Sequence, residues 1–199
     1  MLCVAAFALL AAASARPADN ARIVNGPRPG TGCGGTLWRL MTLSDRQNRS
    51  VVLQRKPTTI ADIAGIPRPK TIGLRRTTPF QRQVWGVRAV VDRYRIASNG
   101  EIVLILYSID TGQFMDAYLP AKQCLSRRSR DRTGMLSARQ SFTSKCPRVT
   151  DLWQLIGITV EVAGVGFWNP ITTTRGALAN GAELRPVTNL KVVNGCGVT

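Results

Sequence analysis

The chain contains no histidine. That absence excludes a Ser-His-Asp triad, a Cys-His dyad, a histidine-ligated zinc and a histidine proton shuttle. Acidic residues are scarce: 11 Asp and Glu stand against 27 Lys and Arg, a net charge of +16. Glu101, Glu161 and Glu183 are the only glutamates. There is no Walker A motif and no CxxC pair, so neither a P-loop nor a cysteine metal site is expected. Two motif matches fail on context. Arg22-Ile23-Val24-Asn25-Gly26 looks like a trypsin-type activation site, but that chemistry needs histidine. Gly30-x-Gly32-x-x-Gly35 fits the dinucleotide fingerprint, yet it follows Pro27-Arg28-Pro29 rather than a strand and opens no amphipathic helix. No cofactor is expected, a nucleotide cofactor included.

What is present is enough apolar material for a core. The 199 residues are 44% hydrophobic, which suits one folded domain and excludes a disordered chain. Leu2 to Ala13 form an apolar run, and Ala13-Ser14-Ala15 supplies a small-x-small cleavage pattern before Arg16 and Pro17. The run is too short for a membrane span, so residues 1–15 read as a signal peptide cleaved near Ala15, with no transmembrane anchor. The mature chain is then secreted, periplasmic or held in the cell envelope. Four cysteines remain after cleavage: Cys33, Cys124, Cys146 and Cys196. An even count in an exported chain predicts two disulfides, with three connectivities open. Cys124 and Cys146 flank a predicted helix and form the expected local pair, which leaves Cys33 with Cys196.

Residues 16–32 are rich in Pro, Gly and Arg and read as an irregular basic arm. Residues 33–80 read as an N-terminal extension packed on the main domain. It carries a short strand near Val51-Val52-Leu53, a short helix over Ile60 to Ala64 and a proline-rich connector. Residues 81–199 hold the strand pattern. Val84 to Ile96 alternates, then switches parity, which predicts a bulge near Asp92-Arg93. Ser98-Asn99-Gly100 and Asp110-Thr111-Gly112 are hairpin turns. Ile102 to Tyr107 and Gln113 to Leu119 are strands, 133–144 a helix, and Leu155 to Trp168 and Ala182 to Val193 two further strands. This order, β-β-β-α-β-β, predicts a mainly β, five-stranded OB-fold-like barrel. The alternative is an open antiparallel sheet covered by one helix.

Gly164-Val165-Gly166-Phe167-Trp168, then Gly176, then Asn180-Gly181-Ala182-Glu183-Leu184-Arg185-Pro186-Val187 resembles the C-terminal signature of a group of small exported bacterial proteins. There the stretch runs roughly GVGFFD…HGQTG…NGIELHPV. Trp38 to Asp45, Thr58 to Pro69 and Gly100-Glu101-Ile102-Val103-Leu104 are also similar. The resemblance spans about residues 33–192 and implies a secreted compact domain. This chain departs from it at Thr172 and Arg185, where the group shows histidines, at Asn169 in place of Asp, and at Tyr118 in place of Glu. Chemistry resting on those groups would be lost here, whereas Glu183 is kept.

Arg127, Arg128, Arg130 and Arg132 place four guanidiniums in six residues. Arginine forks bind phosphate and carboxylate bidentately, so the run is a candidate polyanion contact. Arg88, Arg93 and Arg95 on the first long strand extend it, with Tyr107, Phe114 and Tyr118 on the next two strands as stacking candidates. Parity alone assigns Phe114 and Tyr118 to the core. The carboxylates offer less. Glu161 and Glu183 form a couple if the last two strands pair, Asp110 and Asp116 flank a hairpin, and Glu183 reads as a surface residue. No catalytic residue and no metal ligand is assigned. The expected function is non-enzymatic binding of an acidic polymer, either nucleic acid or a phosphate-bearing envelope polymer. The alternatives are a metal-dependent phosphodiester hydrolase and a structural envelope protein without a ligand site.

Overall fold

The computed structural model describes residues 33, 37–146 and 149–196. The expected signal peptide and basic arm, 1–32, lie outside the described residues. Three helices and six strands follow in chain order: α1 (Trp38–Met41), β1 (Val52–Pro57), α2 (Ile60–Ala64), β2 (Gln83–Ile96), β3 (Ile102–Tyr107), β4 (Phe114–Leu119), α3 (Arg132–Thr143), β5 (Gln154–Trp168) and β6 (Ala182–Asn194).

The protein is mainly β, a six-stranded mixed sheet with one substantial helix. Five strands were expected; the sixth is β1, which runs parallel to the start of β2 at the sheet edge. A parallel edge strand leaves no hairpin signature in the sequence, so only a fragment of it was legible. The 14-residue β2 pairs antiparallel with β3 on one side and with β5 on the other. Both registers shift between Val91 and Arg93, where the parity switch predicts a bulge. β3 and β4 form a regular hairpin from Ile102↔Leu119 to Tyr107↔Phe114. β5 and β6 pair antiparallel, with one extra β6 residue between Leu184 and Val187, the stretch that holds Pro186, which has no N–H for a regular ladder. A single parallel bridge, Ala117↔Leu184, joins β4 to β6. The pairings therefore return to their start, from β2 through β3, β4, β6 and β5 back to β2.

The core lies inside this circuit. Val87, Ala89 and Val91 before the bulge, and Tyr94 after it, face Leu104, Leu106, Met115, Ala117, Val160, Val162 and Leu184. The bulge lets both halves of β2 point apolar side chains the same way despite the extra residue. α3 begins at Asp131, whose carboxylate caps Gly134 N–H, and buries Met135, Ala138 and Phe142 along one stripe. Phe142 meets Tyr94 edge-on at 5.0 Å. In α2, Thr59 and Asp62 form a reciprocal capping box.

Both disulfides form, but not between the expected partners. Cys33 joins Cys124 and Cys146 joins Cys196, each with Cα atoms 5.3 Å apart. Cys124 precedes α3 and Cys146 follows it. α3, about 18 Å long, lies between them, and the 125–131 segment runs to the α1 region, where Cys124 meets Cys33, instead of folding back along the helix toward Cys146. Non-reducing peptide mapping is expected to recover Cys33–Cys124 and Cys146–Cys196, with none of these four thiols free. A Cys124–Cys146 peptide would overturn this connectivity.

Candidate functional site

Arg127, Arg128 and Arg130 lie in the loop between β4 and α3, and Arg132 opens α3. Three ties pin this loop to the α1 region. Cys124 is bonded to Cys33, the Arg130 backbone N–H donates to Leu43 O at 2.9 Å, and the Arg130 guanidinium donates to Asn48 O and Val51 O at 2.6 and 2.8 Å. Between loop and α1 lies a groove of about 1010 Å³. Arg39, Arg46, Arg49, Arg127, Arg128 and Arg130 line it, with Asp45 as the one carboxylate. All of these arginines except Arg130 are exposed. Asp45 is already neutralised: the fully buried Arg76 donates to its Oδ2 from Nε at 3.2 Å and from Nη2 at 2.8 Å. Five exposed guanidiniums without a free carboxylate make an anion-attracting surface.

A second concave feature, of about 540 Å³, covers the outer face of the sheet. Register builds it in rows. Arg93 on β2, Ile105 on β3 and Asp116 on β4 form one row; Arg95, Val103 and Tyr118 form the next. Strands about 4.8 Å apart put an apolar floor of Val103 and Ile105 between an arginine wall and the Asp116–Tyr118 wall. Trp153 flanks the arginine side, with the Arg95 guanidinium 4.8 Å from its ring centroid. Arg175 in the β5–β6 loop stacks on Phe114 at 4.3 Å and grips Asp92 with two 3.0 Å hydrogen bonds.

Beneath Tyr118 sits a buried charge cluster. Arg185 of β6 donates through Nε to Glu101 Oε1 at 3.1 Å and through Nη2 to Glu101 Oε2, while its Nη1 lies 3.5 Å from Glu183 Oε1. Its guanidinium stacks on the Tyr118 ring at 4.2 Å. Glu101 is fully buried and also accepts from Asn99 Nδ2 at 2.6 Å. Glu183 accepts from Asn169 Nδ2 at 3.1 Å. Burial pushes the Glu183 carboxyl up to about 8; Arg185 opposes this, while Asp116 and Glu101 add to it. Burial likewise raises Asp116 to about 7 against the pull of Arg185 and Arg95. Burial alone would lower Arg185, but Glu101 and Glu183 outweigh it and hold the guanidinium charged.

The seven arginines singled out in the sequence do not form one surface. Arg127, Arg128 and Arg130 line the groove, and Arg93 and Arg95 line the cleft. Arg88 stands elsewhere on β2, 4.0 Å from Glu161. Arg132 starts α3 with its Nε buried and unpartnered. The sequence reading missed Arg39, Arg46 and Arg49, which are scattered singly over α1 and the following turn. Three carboxylate and aromatic expectations are corrected. Phe114 and Tyr118 stand on the outer face, Tyr118 lining the cleft and Phe114 stacked under Arg175, because Met115, Ala117 and Leu119 take the core side of β4. Glu183 is buried, 3% exposed. Glu161 and Glu183 are no couple: β5 and β6 do pair, but Glu161 faces Lys191 and Glu183 faces Phe167, six residues further along β5. Among the described residues, no group of three or more His, Cys, Asp or Glu is placed to hold a metal ion. Three of the four departures from the exported-protein signature, Tyr118, Asn169 and Arg185, meet around Glu183.

No protein-family model matches the chain, and no curated protein matches it. Among solved structures, Entamoeba histolytica asparaginyl-tRNA synthetase in complex with asparaginyl-adenylate is similar at 13% identity and a TM-score of 0.40. The match covers 72% of this chain and 25% of that one, so this chain spans about a quarter of the synthetase's length. A likeness at that score carries no argument. No helix among the described residues is long and apolar enough to cross a membrane.

Proposed function

We propose that the protein is an exported, disulfide-stapled binding domain for an acidic polymer, either nucleic acid or a phosphate-bearing envelope polymer. The observation that carries this is the groove between α1 and the β4–α3 loop. Arg39, Arg46, Arg49, Arg127 and Arg128 stand exposed there, and the one carboxylate is consumed by Arg76. The export reading is supported by the two disulfides, which persist outside the reducing cytosol. The C-terminal motif, Gly164 to Trp168 with Asn180 to Val187, supports the same reading through its resemblance to small exported proteins. The scaffold is an OB-fold-like barrel: the circuit β2-β3-β4-β6-β5 and the helix between β4 and β5 support that reading.

Binding through this groove is electrostatic, so log affinity for a phosphate polymer falls linearly with log salt, by about 0.7–0.9 per phosphate neutralised. Replacing Arg39, Arg46, Arg49, Arg127 and Arg128 by Ser is expected to reduce that slope by roughly 3 or more. A control lacking Arg55, Arg75, Arg88, Lys70 and Lys145, which do not line the groove with those five, is expected to change it far less. Equal slopes for the two variants would sink the proposal.

A further inference from the structure

Two buried polar atoms at the cleft wall have no hydrogen-bond partner among the described residues, Arg95 Nε and Asp116 Oδ1. Asp116 is held in an unusual way. Gly176 of the β5–β6 loop lies against Oδ1 so closely that a Cβ there would collide with it, and Gly176 takes φ +100°, a backbone that favours glycine. One carboxyl oxygen is thereby shut in, and the carboxyl lines the cleft beside an apolar floor. An ionised carboxylate in this position would carry a charge with no donor to stabilise it. A carboxylic acid would carry none and could donate into the cleft. Ser98, Tyr118, Arg93 and Arg95 also line the cleft and all offer donors.

We propose that the cleft holds one tetrahedral oxyanion, the phosphodiester of an acidic polymer or a sulfate group, bound by Arg93 and Arg95 and by the protonated carboxyl of Asp116. The inference rests on the polyanion reading of those two arginines and specifies how one anionic group is recognised. It makes the cleft proton-gated, unlike the groove, whose one carboxylate, Asp45, is paired with Arg76. The groups facing Asp116 are Arg93 and Arg95 from β2, Glu101 from the start of β3, Tyr118 from β4, Glu183 and Arg185 from β6, and Arg175 from the loop. The arginines stay charged throughout. Glu101 is bound to Arg185. Asp116 and Glu183 ionise near 7 and 8, so each step toward alkaline pH adds negative charge beside the anion.

The test is calorimetric titration with sulfate, whose charge is constant from pH 6 to 9. Wild type is expected to lose at least tenfold in affinity across that range. Asp116→Asn keeps a neutral donor and is expected to lose clearly less than wild type, retaining only the alkaline step of Glu183; Asp116→Asn with Glu183→Gln is expected to bind nearly equally at both ends. Arg95→Met is expected to lose binding at pH 6 while its melting temperature reports an intact fold. A nucleic-acid trimer and a glycerol-phosphate oligomer of equal charge, run in parallel, show which diester is preferred. A flat wild-type profile, an Asp116→Asn variant that falls as wild type does, or no saturable sulfate site at pH 6 would each overturn the proposal. So would loss of sulfate binding in an Arg127→Ser, Arg128→Ser variant, which would locate the anion in the groove. Polymer binding that keeps its salt slope while the sulfate site fails would leave the groove reading standing alone.

Discussion

The melting temperature is expected to be higher at pH 5 than at pH 9 by about 10 °C. Asp116 and Glu183 keep their protons in the folded chain up to about 7 and about 8, against 3.8 and 4.5 for the free groups. Between those limits the folded state binds more protons than the unfolded one, so stability falls as pH rises. The contribution is complete below about pH 4 and gone above about pH 8. The two carboxyls share Arg185 and Asp116 is partly solvated, so the shifts do not simply add. A loss on the order of 3 kcal/mol corresponds to about 10 °C for a domain of this size. Asp62 and Asp92 act with the opposite sign, but only at more acidic pH. Hydrogen bonds from the Thr59 side chain and backbone lower Asp62, and those from Arg93 and Arg175 overcome the burial that would raise Asp92. Thermal melts from pH 4.5 to 9 in one buffer series check the direction. Asp116→Asn with Glu183→Gln is expected to flatten the curve. A wild-type melting temperature that rises toward pH 9 would contradict the burial of these carboxyls.

Replacing Arg76 by Met is expected to cost about 3–5 kcal/mol, while the same change at its neighbour Arg75 stays within about half a kcal/mol. Arg75 is exposed, whereas Arg76 is fully buried. Arg76 ties Asp45 twice, Leu40 O at 2.7 Å and Gln81 O at 3.1 Å. Removing it leaves the buried Asp45 carboxylate without a counter-charge, held only by the Gln47 N–H, and takes a donor from Leu40 O and from Gln81 O. The double replacement of Arg76 by Met and Asp45 by Leu removes the orphaned charge and is expected to recover part of the loss. Denaturant midpoints of the four proteins measure this. If Arg76→Met were as mild as Arg75→Met, the buried pair would not anchor the α1 segment, and the groove would have no rigid wall.

Much of the sheet was legible because its signals are local. Asn-Gly turns, strict alternation and the parity switch at Asp92-Arg93 are all read within ten residues. The cleft was not legible, because its definition is long-range. β3 is apolar on both faces, so Ile102 to Tyr107 does not reveal which side is the core. That choice decides whether Phe114 and Tyr118 are packing residues or cleft walls. Glu183 and Arg185 alternate like surface residues of an ordinary strand. They are buried because the 169–181 loop and Tyr118 cover them, and nothing near them in sequence marks that. The arginine run was visible as a cluster, yet half the groove comes from single arginines about 80 residues earlier. The disulfides failed for a similar reason: proximity in sequence was weighed above the path of the 125–131 segment, which carries Cys124 to the α1 region and away from Cys146.

The connectivity also bears on how the chain matures. Of the three possible pairings, the structure holds the one in which the first cysteine of the mature chain joins the second and the third joins the fourth. The two covalent loops, 33–124 and 146–196, neither nest nor overlap, and α3 lies between them. A chain threaded across a membrane from its N-terminus presents Cys124 to Cys33 before either later cysteine has emerged. An oxidase that joins thiols in order of arrival therefore makes both native bonds unaided. The nested alternative, Cys33 with Cys196, would need the first thiol to stay reduced until translocation ended, or a wrong bond to be reshuffled. If the chain is exported N-terminus first, as proposed, its oxidation is expected to need an oxidant and no isomerase.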